Sequence, residues 1–591
     1  MRVLASSAAA LSLLSLATAA NVSVNGWYPC GFSRDLVAQF YNGDADVNAI
    51  FECAQVRVPL CYDGVCKSDR EIDVFVKRLV ADDADTAVWM LHGGPGASSA
   101  QFELNMVNMY EVLEGTASVY AMDHRGTGRS ALLTCEAAQA FTGGSPDGTQ
   151  LDFSEVANCV KDILFQIENQ TVAFSTTSAA KDVALLTSQL NKHESVFVYG
   201  SEYGSYVTER LMHLSPGNAK GYILDGVIAE TNDSYARVGS QRDGPGRLLA
   251  KLCEDNSACS KAYGVNGSLY DSWLATYAAL DNATVGENAC ADLVRGDFEG
   301  IEPSTVLRSY FSMVVDDPYQ RMLLPAMFQM LGRCNSTDEL SLRILLTLSA
   351  ENSLYELLND VEDDEKSLDE PVDTVIETSM FLSHLVKSSE LWGVPSPKWE
   401  DEKAAVDAGV FTTYSTEDYA WHCILSGNKS DPSCGALVEL GQQLDPPVDL
   451  KTFNYTPFLY KPDALYRKPA TIPHGASVLV ISGKLDFDTL HANAVKQFEE
   501  MKGDNKLLVE FEYGTHLSGV MPTSIDDITF CGPSIIASYI KTGGDVSKTD
   551  VSCLDDVPEI NFDPQQVQDL LRVMLGGGRK HKQHHMALHK H

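Results

Sequence analysis

Basic residues are scarce in this chain. Lys and Arg number 44 against 81 Asp and Glu, leaving a net charge of −37. That deficit removes the positive footprint that nucleic acid or an anionic membrane surface demands, so neither is expected as a partner. No C-x-x-C and no paired Cys/His spacing occurs, which argues against structural zinc. After residue 16 no apolar run approaches the ~20 residues of a membrane span. No internal repeat is present. What remains is a globular composition, 44% hydrophobic and 21% charged. At 591 residues the chain exceeds one ordinary domain, so a large core with a sizeable insertion, or two domains, is expected.

The first 20 residues read as a secretory signal. Arg2 gives the positive start, Val3 to Leu16 the apolar stretch, and Ala17-Thr18-Ala19 the small-residue cleavage site, with cleavage after Ala19 or Ala20. All 14 cysteines follow it, an even number that fits seven disulfides. Nearest-neighbour pairing gives Cys61–Cys66, Cys135–Cys159, Cys253–Cys259, Cys423–Cys434 and Cys531–Cys553, and leaves the other four open. Eight Asn-x-Ser/Thr sequons, at Asn21, Asn169, Asn232, Asn266, Asn282, Asn335, Asn428 and Asn454, fit an extracellular glycoprotein.

Three textures follow one another. From 71 to 228, short apolar runs at Glu71–Leu79, Thr86–Leu91, Ser118–Met122, Ser195–Tyr199 and Tyr222–Ile228 read as strands, with helices at Ala179–Leu190 and Tyr203–Leu214. The inner runs are continuous rather than alternating, as in strands covered on both faces of a parallel sheet. From 232 to 465 the pattern is helical, with an acidic patch at 360–365 that reads as a solvated face. Strand texture returns at Ser477–Ser482 and Lys506–Tyr513. A last helix is expected at Pro564–Leu575, then a flexible tail with five histidines that could bind a metal only weakly. The expected division is 1–20 signal, 21–231 first half of the core, 232–470 helical insertion, 471–575 second half, and 576–591 tail.

Five motifs sit at strand ends. His92-Gly93-Gly94-Pro95-Gly96 supplies glycines whose N–H groups approach a ligand closely. Asp123-His124-Arg125-Gly126-Thr127-Gly128-Arg129-Ser130 reads as architectural, with Arg125 bracing the fold. Gly200-Ser201-Glu202-Tyr203-Gly204 occupies a strand-to-helix junction, the place of a nucleophile elbow. Ser482-Gly483-Lys484-Leu485-Asp486 places Asp486 as a histidine-orienting acid, with Asp488 in reserve. Gly514-Thr515-His516 places His516 as a general base. The order elbow, acid, His is that of the α/β-hydrolases.

These motifs resemble the proline iminopeptidase and secreted tripeptidyl aminopeptidase group of serine exopeptidases, over roughly 50–230 and 470–555. The resemblance implies an α/β-hydrolase fold, a mostly parallel doubly wound sheet with a large helical cap. It also implies a peptide or small ester as ligand, no metal and no organic cofactor. An oxyanion hole would come from Gly93, Gly94 and Tyr203. The sequence is silent on oligomeric state.

The departure lies at the nucleophile. The group's elbow reads Gly-x-Ser-Tyr-Gly, and here the serine position is Glu202. Ser201 and Ser205 flank it at the wrong elbow positions, and no Gly-x-Ser-x-Gly occurs elsewhere. A carboxylate has no proton for His516 to take. It also reaches about 1.5 Å further than serine, where a misplacement of about 1 Å can cost 10²-fold. Glu202 is therefore expected to turn into the oxyanion hole, onto the Tyr203 N–H and a Gly93 or Gly94 amide. It is further expected to pair with His516, raising the imidazole's pKa between two carboxylates. A catalytically impaired homologue is the leading expectation. The alternatives are a hydrolase using Glu202 or a His516-activated water, and a non-enzymatic extracellular binding protein.

Overall fold

The computed structural model describes residues 22–32, 51–138, 140, 145, 151–231, 234–264, 266–296, 300–318, 320–351, 378–442, 444, 447–453, 457–522, 530–563 and 565. The expected signal segment, the acidic patch, nearly all of the expected C-terminal helix, the His-rich tail and sequons Asn21, Asn232 and Asn454 lie outside them. Among the described residues ten strands form one sheet: β1 (Ser23–Val24), β2 (Tyr28–Cys30), β3 (Phe51–Pro59), β4 (Glu71–Leu79), β5 (Thr86–Leu91), β6 (Ser118–Met122), β7 (Ser195–Ser201), β8 (Ala219–Asp225), β9 (Ser477–Gly483) and β10 (Lys506–Phe511). Their order is β1-β3-β4-β6-β5-β7-β8-β9-β10, with β2 also on β3. The β3–β4 and β4–β6 pairs are antiparallel, and every pair from β6 to β10 is parallel.

The inner strands are apolar throughout because both faces are covered. Along β5, Val88 and Met90 enter one core, while Ala87, Trp89 and Leu91 enter the other. Period-two alternation thus feeds two apolar layers rather than one layer and solvent. Strand β8 starts earlier than its apolar run suggests, at Ala219 instead of Tyr222. It ends at Asp225 because Gly226 turns the chain with φ +60°. Between β8 and β9 the described residues hold helices and no strand. A further apolar centre forms in that insertion around Trp273, Phe311, Phe328 and Phe411, and Leu485 and Phe487 beyond β9 join it.

Seven disulfides join all 14 cysteines. The five expected pairs are present, and the open four join as Cys30–Cys53 and Cys290–Cys334. Arg125 braces the core as its motif suggests. Its guanidinium donates twice to Asp182, each at 2.6 Å, and to the carbonyls of Pro59, Leu60 and Ala173.

Candidate active site

Glu202 stands between β7 and the helix Tyr203–Leu214 in a left-handed conformation, φ 51° and ψ −119°. A residue with a Cβ rarely holds such a backbone, so the surroundings must enforce it. They do so through close approach. A Cβ at Gly204 would strike the Leu91 carbonyl, and one at Gly200 would strike Gly204 and Thr208. Only glycine on both sides lets the strand turn this sharply into the helix. The Glu202 N–H donates to the Asp225 carbonyl at 3.0 Å, which ties the elbow to β8.

The Glu202 side chain leaves its own helix. Oε2 accepts from the Gly94 N–H at 2.7 Å, and Oε1 accepts from the Tyr235 hydroxyl at 3.4 Å. Tyr235 also donates to the Gly94 carbonyl at 3.0 Å. Gly93 lies so close that a Cβ there would overlap the Glu202 carboxyl. The expected contact with the Tyr203 N–H does not form. The longer side chain makes the expected bond to the Gly93–Gly94 loop but none to the first amides of its helix. Burial raises the Glu202 pKa, against the charge of His516 and the Gly94 hydrogen bond, which lower it.

Asp486 and His516 come together as their strand ends require. Asp486 is 2% exposed. Its Oδ1 accepts from the N–H groups of Asp488 (2.9 Å) and Thr489 (2.7 Å), and its Oδ2 from the Thr489 hydroxyl (2.7 Å). His516 Nδ1 lies 3.2 Å from Asp486 Oδ2 and 3.1 Å from Thr489 Oγ1. Burial opposes a charge on His516, but contact with Asp486 and the nearby carboxylates of Asp488 and Glu202 outweigh it. The pKa is pushed up to about 10. Glu202 acts on the imidazole through space only. No ion pair joins the two, because Asp486 and Thr489 pin Nδ1 and the elbow aims Glu202 at Gly94.

Asp488 does not orient His516. It pairs with Arg242 of the insertion at 2.6 Å. Neither flanking serine reaches the site. Ser205 donates to the Glu202 carbonyl at 2.6 Å, and Ser201 lies buried against Leu91.

A cavity of about 310 Å³ opens over this array. The core contributes Gly94, Glu202, Ile228, Asp488 and Thr489, and the insertion Ser234, Tyr235, Val238 and Lys387. Lys387 donates to Asp418 at 3.1 Å and stands 4.9 Å from the Tyr235 ring centre. Its turn, Lys387–Leu391, also carries Glu390, which is buried against the elbow helix. Arg210 (2.9 Å), Tyr206 (3.0 Å) and Tyr460 (2.7 Å) all donate to it. That clasp fixes where Lys387 enters. Sequence reasoning named neither Tyr235 nor Lys387, since the insertion offers no motif that registers them against the core. Among the described residues no group of three or more His, Cys, Asp or Glu is arranged to hold a metal ion.

The strand order, the elbow after the central β7, and an acid and His at the ends of β9 and β10 define an α/β-hydrolase fold. No family model matches the sequence, and no curated protein matches it. Solved structures similar to this chain include an esterase from Exiguobacterium antarcticum, at 12% identity over 75% of this chain and 89% of that one, TM-score 0.26. Another is a thermophilic esterase from Thermogutta terrifontis, at 10% identity over 83% and 99%, TM-score 0.31. A third is a haloalkane dehalogenase variant from Bradyrhizobium elkanii, at 12% identity over 84% and 99%, TM-score 0.28.

Proposed function

We propose that this protein is a secreted, glycosylated relative of the serine aminopeptidases. Its pocket receives peptide N-termini, and its catalysis is impaired at Glu202. The observation that carries this reading is the 2.7 Å bond from the Gly94 N–H to Glu202 Oε2. Acyl transfer needs such a donor free for the developing oxyanion, and here a resident carboxylate holds it. A His516 that keeps its proton to about pH 10 is also no free base at neutral pH. Two carboxylates facing one cavity favour an amine as ligand. Seven disulfides support an oxidising compartment. Asn169, Asn266, Asn282, Asn335 and Asn428 are all exposed, as glycan acceptors must be.

The test is hydrolysis of free-N-terminal aminoacyl and tripeptidyl fluorogenic amides, with simple esters beside them, by the native protein and by Glu202→Ser. Turnover by the variant alone supports the reading. Turnover by neither removes the aminopeptidase ancestry from it.

The intact Asp486–Thr489–His516 array favours a second reading. In it the protein is a hydrolase of esters or peptides that works through Glu202 or through a water near His516. Native turnover that disappears in Glu202→Gln would establish it over the first.

A further inference from the structure

We infer that the cavity above Glu202 is built for a small zwitterion of the free-dipeptide class, with its ammonium between Glu202 and Asp488 and its carboxylate at Lys387. This deepens the reading of the pocket as a receiver of peptide N-termini and rests on it.

The charges lining the cavity are divided by origin. Both carboxylates, Glu202 and Asp488, come from the core, and the ammonium of Lys387 comes from the insertion. Tyr235 touches Glu202 and Lys387 both. Its hydroxyl reaches Glu202 Oε1 at 3.4 Å, while its ring lies 4.9 Å from Lys387 Nζ. Anionic and cationic groups thus border one aromatic side chain, the carboxyl at its hydroxyl and the ammonium over its ring. A dipeptide sets its two charged ends apart by one Cα-to-Cα step of about 3.8 Å and the bonds beyond it.

Neither pole is free to collapse onto the other. Glu202 is held by Gly94, Asp488 by Arg242 at 2.6 Å, and Lys387 by Asp418 at 3.1 Å. Glu390 anchors the Lys387 turn to the elbow helix through Arg210, so the spacing is set by the fold. Ile228 and Val238 supply apolar wall for side chains. The volume, about 310 Å³, lies at the small end for ligand pockets, which disfavours longer peptides.

The experiment is calorimetric titration of the full native protein at pH 7 with alanyl-valine, alanyl-valine amide and N-acetyl-alanyl-valine. The free dipeptide is expected to bind about tenfold or more tighter than the amide, and N-acetylation is expected to weaken it by a similar factor. In Lys387→Met the free acid and the amide should bind alike, and in Lys387→Arg the preference should return. Thermal unfolding of both variants reports that they are folded. Equal binding of free acid and amide by the native protein, with the N-acetyl peptide still rejected, would overturn the zwitterion and leave N-terminus recognition standing. Binding of the N-acetyl peptide as tightly as the free one, or of none of the three, would overturn both.

Discussion

Glu202 Oε2 and the Gly94 amide nitrogen lie 2.7 Å apart, although 108 positions separate the two residues in the chain. The contact is made because the elbow turns one side chain toward the loop after β5. It places a resident carboxyl oxygen on a donor that a serine enzyme would keep for its transition state.

Replacing Glu202 with Gln keeps the length of the side chain and removes its charge. His516, whose pKa is raised in part by Glu202, should then titrate at a lower pH than in the native protein. Nuclear magnetic resonance of the imidazole, followed against pH, measures this. An unchanged titration would mean that the two groups do not sense each other.

In Glu202→Ser the gain should appear in kcat. Loss of a triad's nucleophile leaves only residual catalysis, so restoring one in a preserved site should raise turnover by roughly 10³-fold. Stopped or continuous fluorogenic assays at matched protein concentration read the ratio.

His516 also sets a pH dependence of stability. Its folded pKa, about 10, lies above the ordinary 6.5, so the folded state binds the proton more tightly than the unfolded one. The resulting stabilisation is fully present below about pH 6.5 and is lost as the pH rises toward 10. Urea unfolding across that window should show the decline in the native protein and a shallower one in His516→Gln.

Asp225 acts in the same direction at a lower pH. Burial pushes its carboxyl up to about 7 from 3.8, even though the Tyr199 hydroxyl and the Gly519 N–H donate to it. The folded state holds that proton longer than the unfolded one, so stability falls as the pH rises from about 4 to 7 and stays reduced above it. Asp225→Asn should flatten that fall and raise the urea midpoint at pH 8.

Arg125→Met would leave Asp182 as an uncompensated buried charge and orphan three carbonyls. The expected cost is about 3–5 kcal/mol, read as a lower midpoint at unchanged slope in urea unfolding.

How much of this was legible beforehand depends on how local the cause is. Strands β5 and β6 run over the residues that their apolar sequences mark, because burial on both faces leaves an uninterrupted signature. Strand β3 escapes that signature. Glu52 and Arg57 break its apolar sequence, since it lies near the edge of the sheet with one face partly open. Glu202, Asp486 and His516 were readable because each ends a strand within a short motif. The Glu202 bond to a glycine amide of the 93–94 loop was readable as well, but the missing contact with Tyr203 was not, because it depends on a side-chain torsion and no spacing encodes that. Lys387 was hidden for another reason. Its position follows from Glu390 meeting Arg210 across 180 residues, a pairing that only the packed chain reveals.

The disulfides have a consequence for the chain as a covalent object. Each closes a loop of its own, none encloses or crosses another, and the widest spans 44 positions. No bridge spans the stretch from Cys334 to Cys423, so one peptide cleavage there yields two fragments that separate without a reductant. Until a denaturant is added, strand β8 lying against β9 would keep the halves of the sheet together, so a nicked molecule would migrate as intact in native gels and as two bands in detergent.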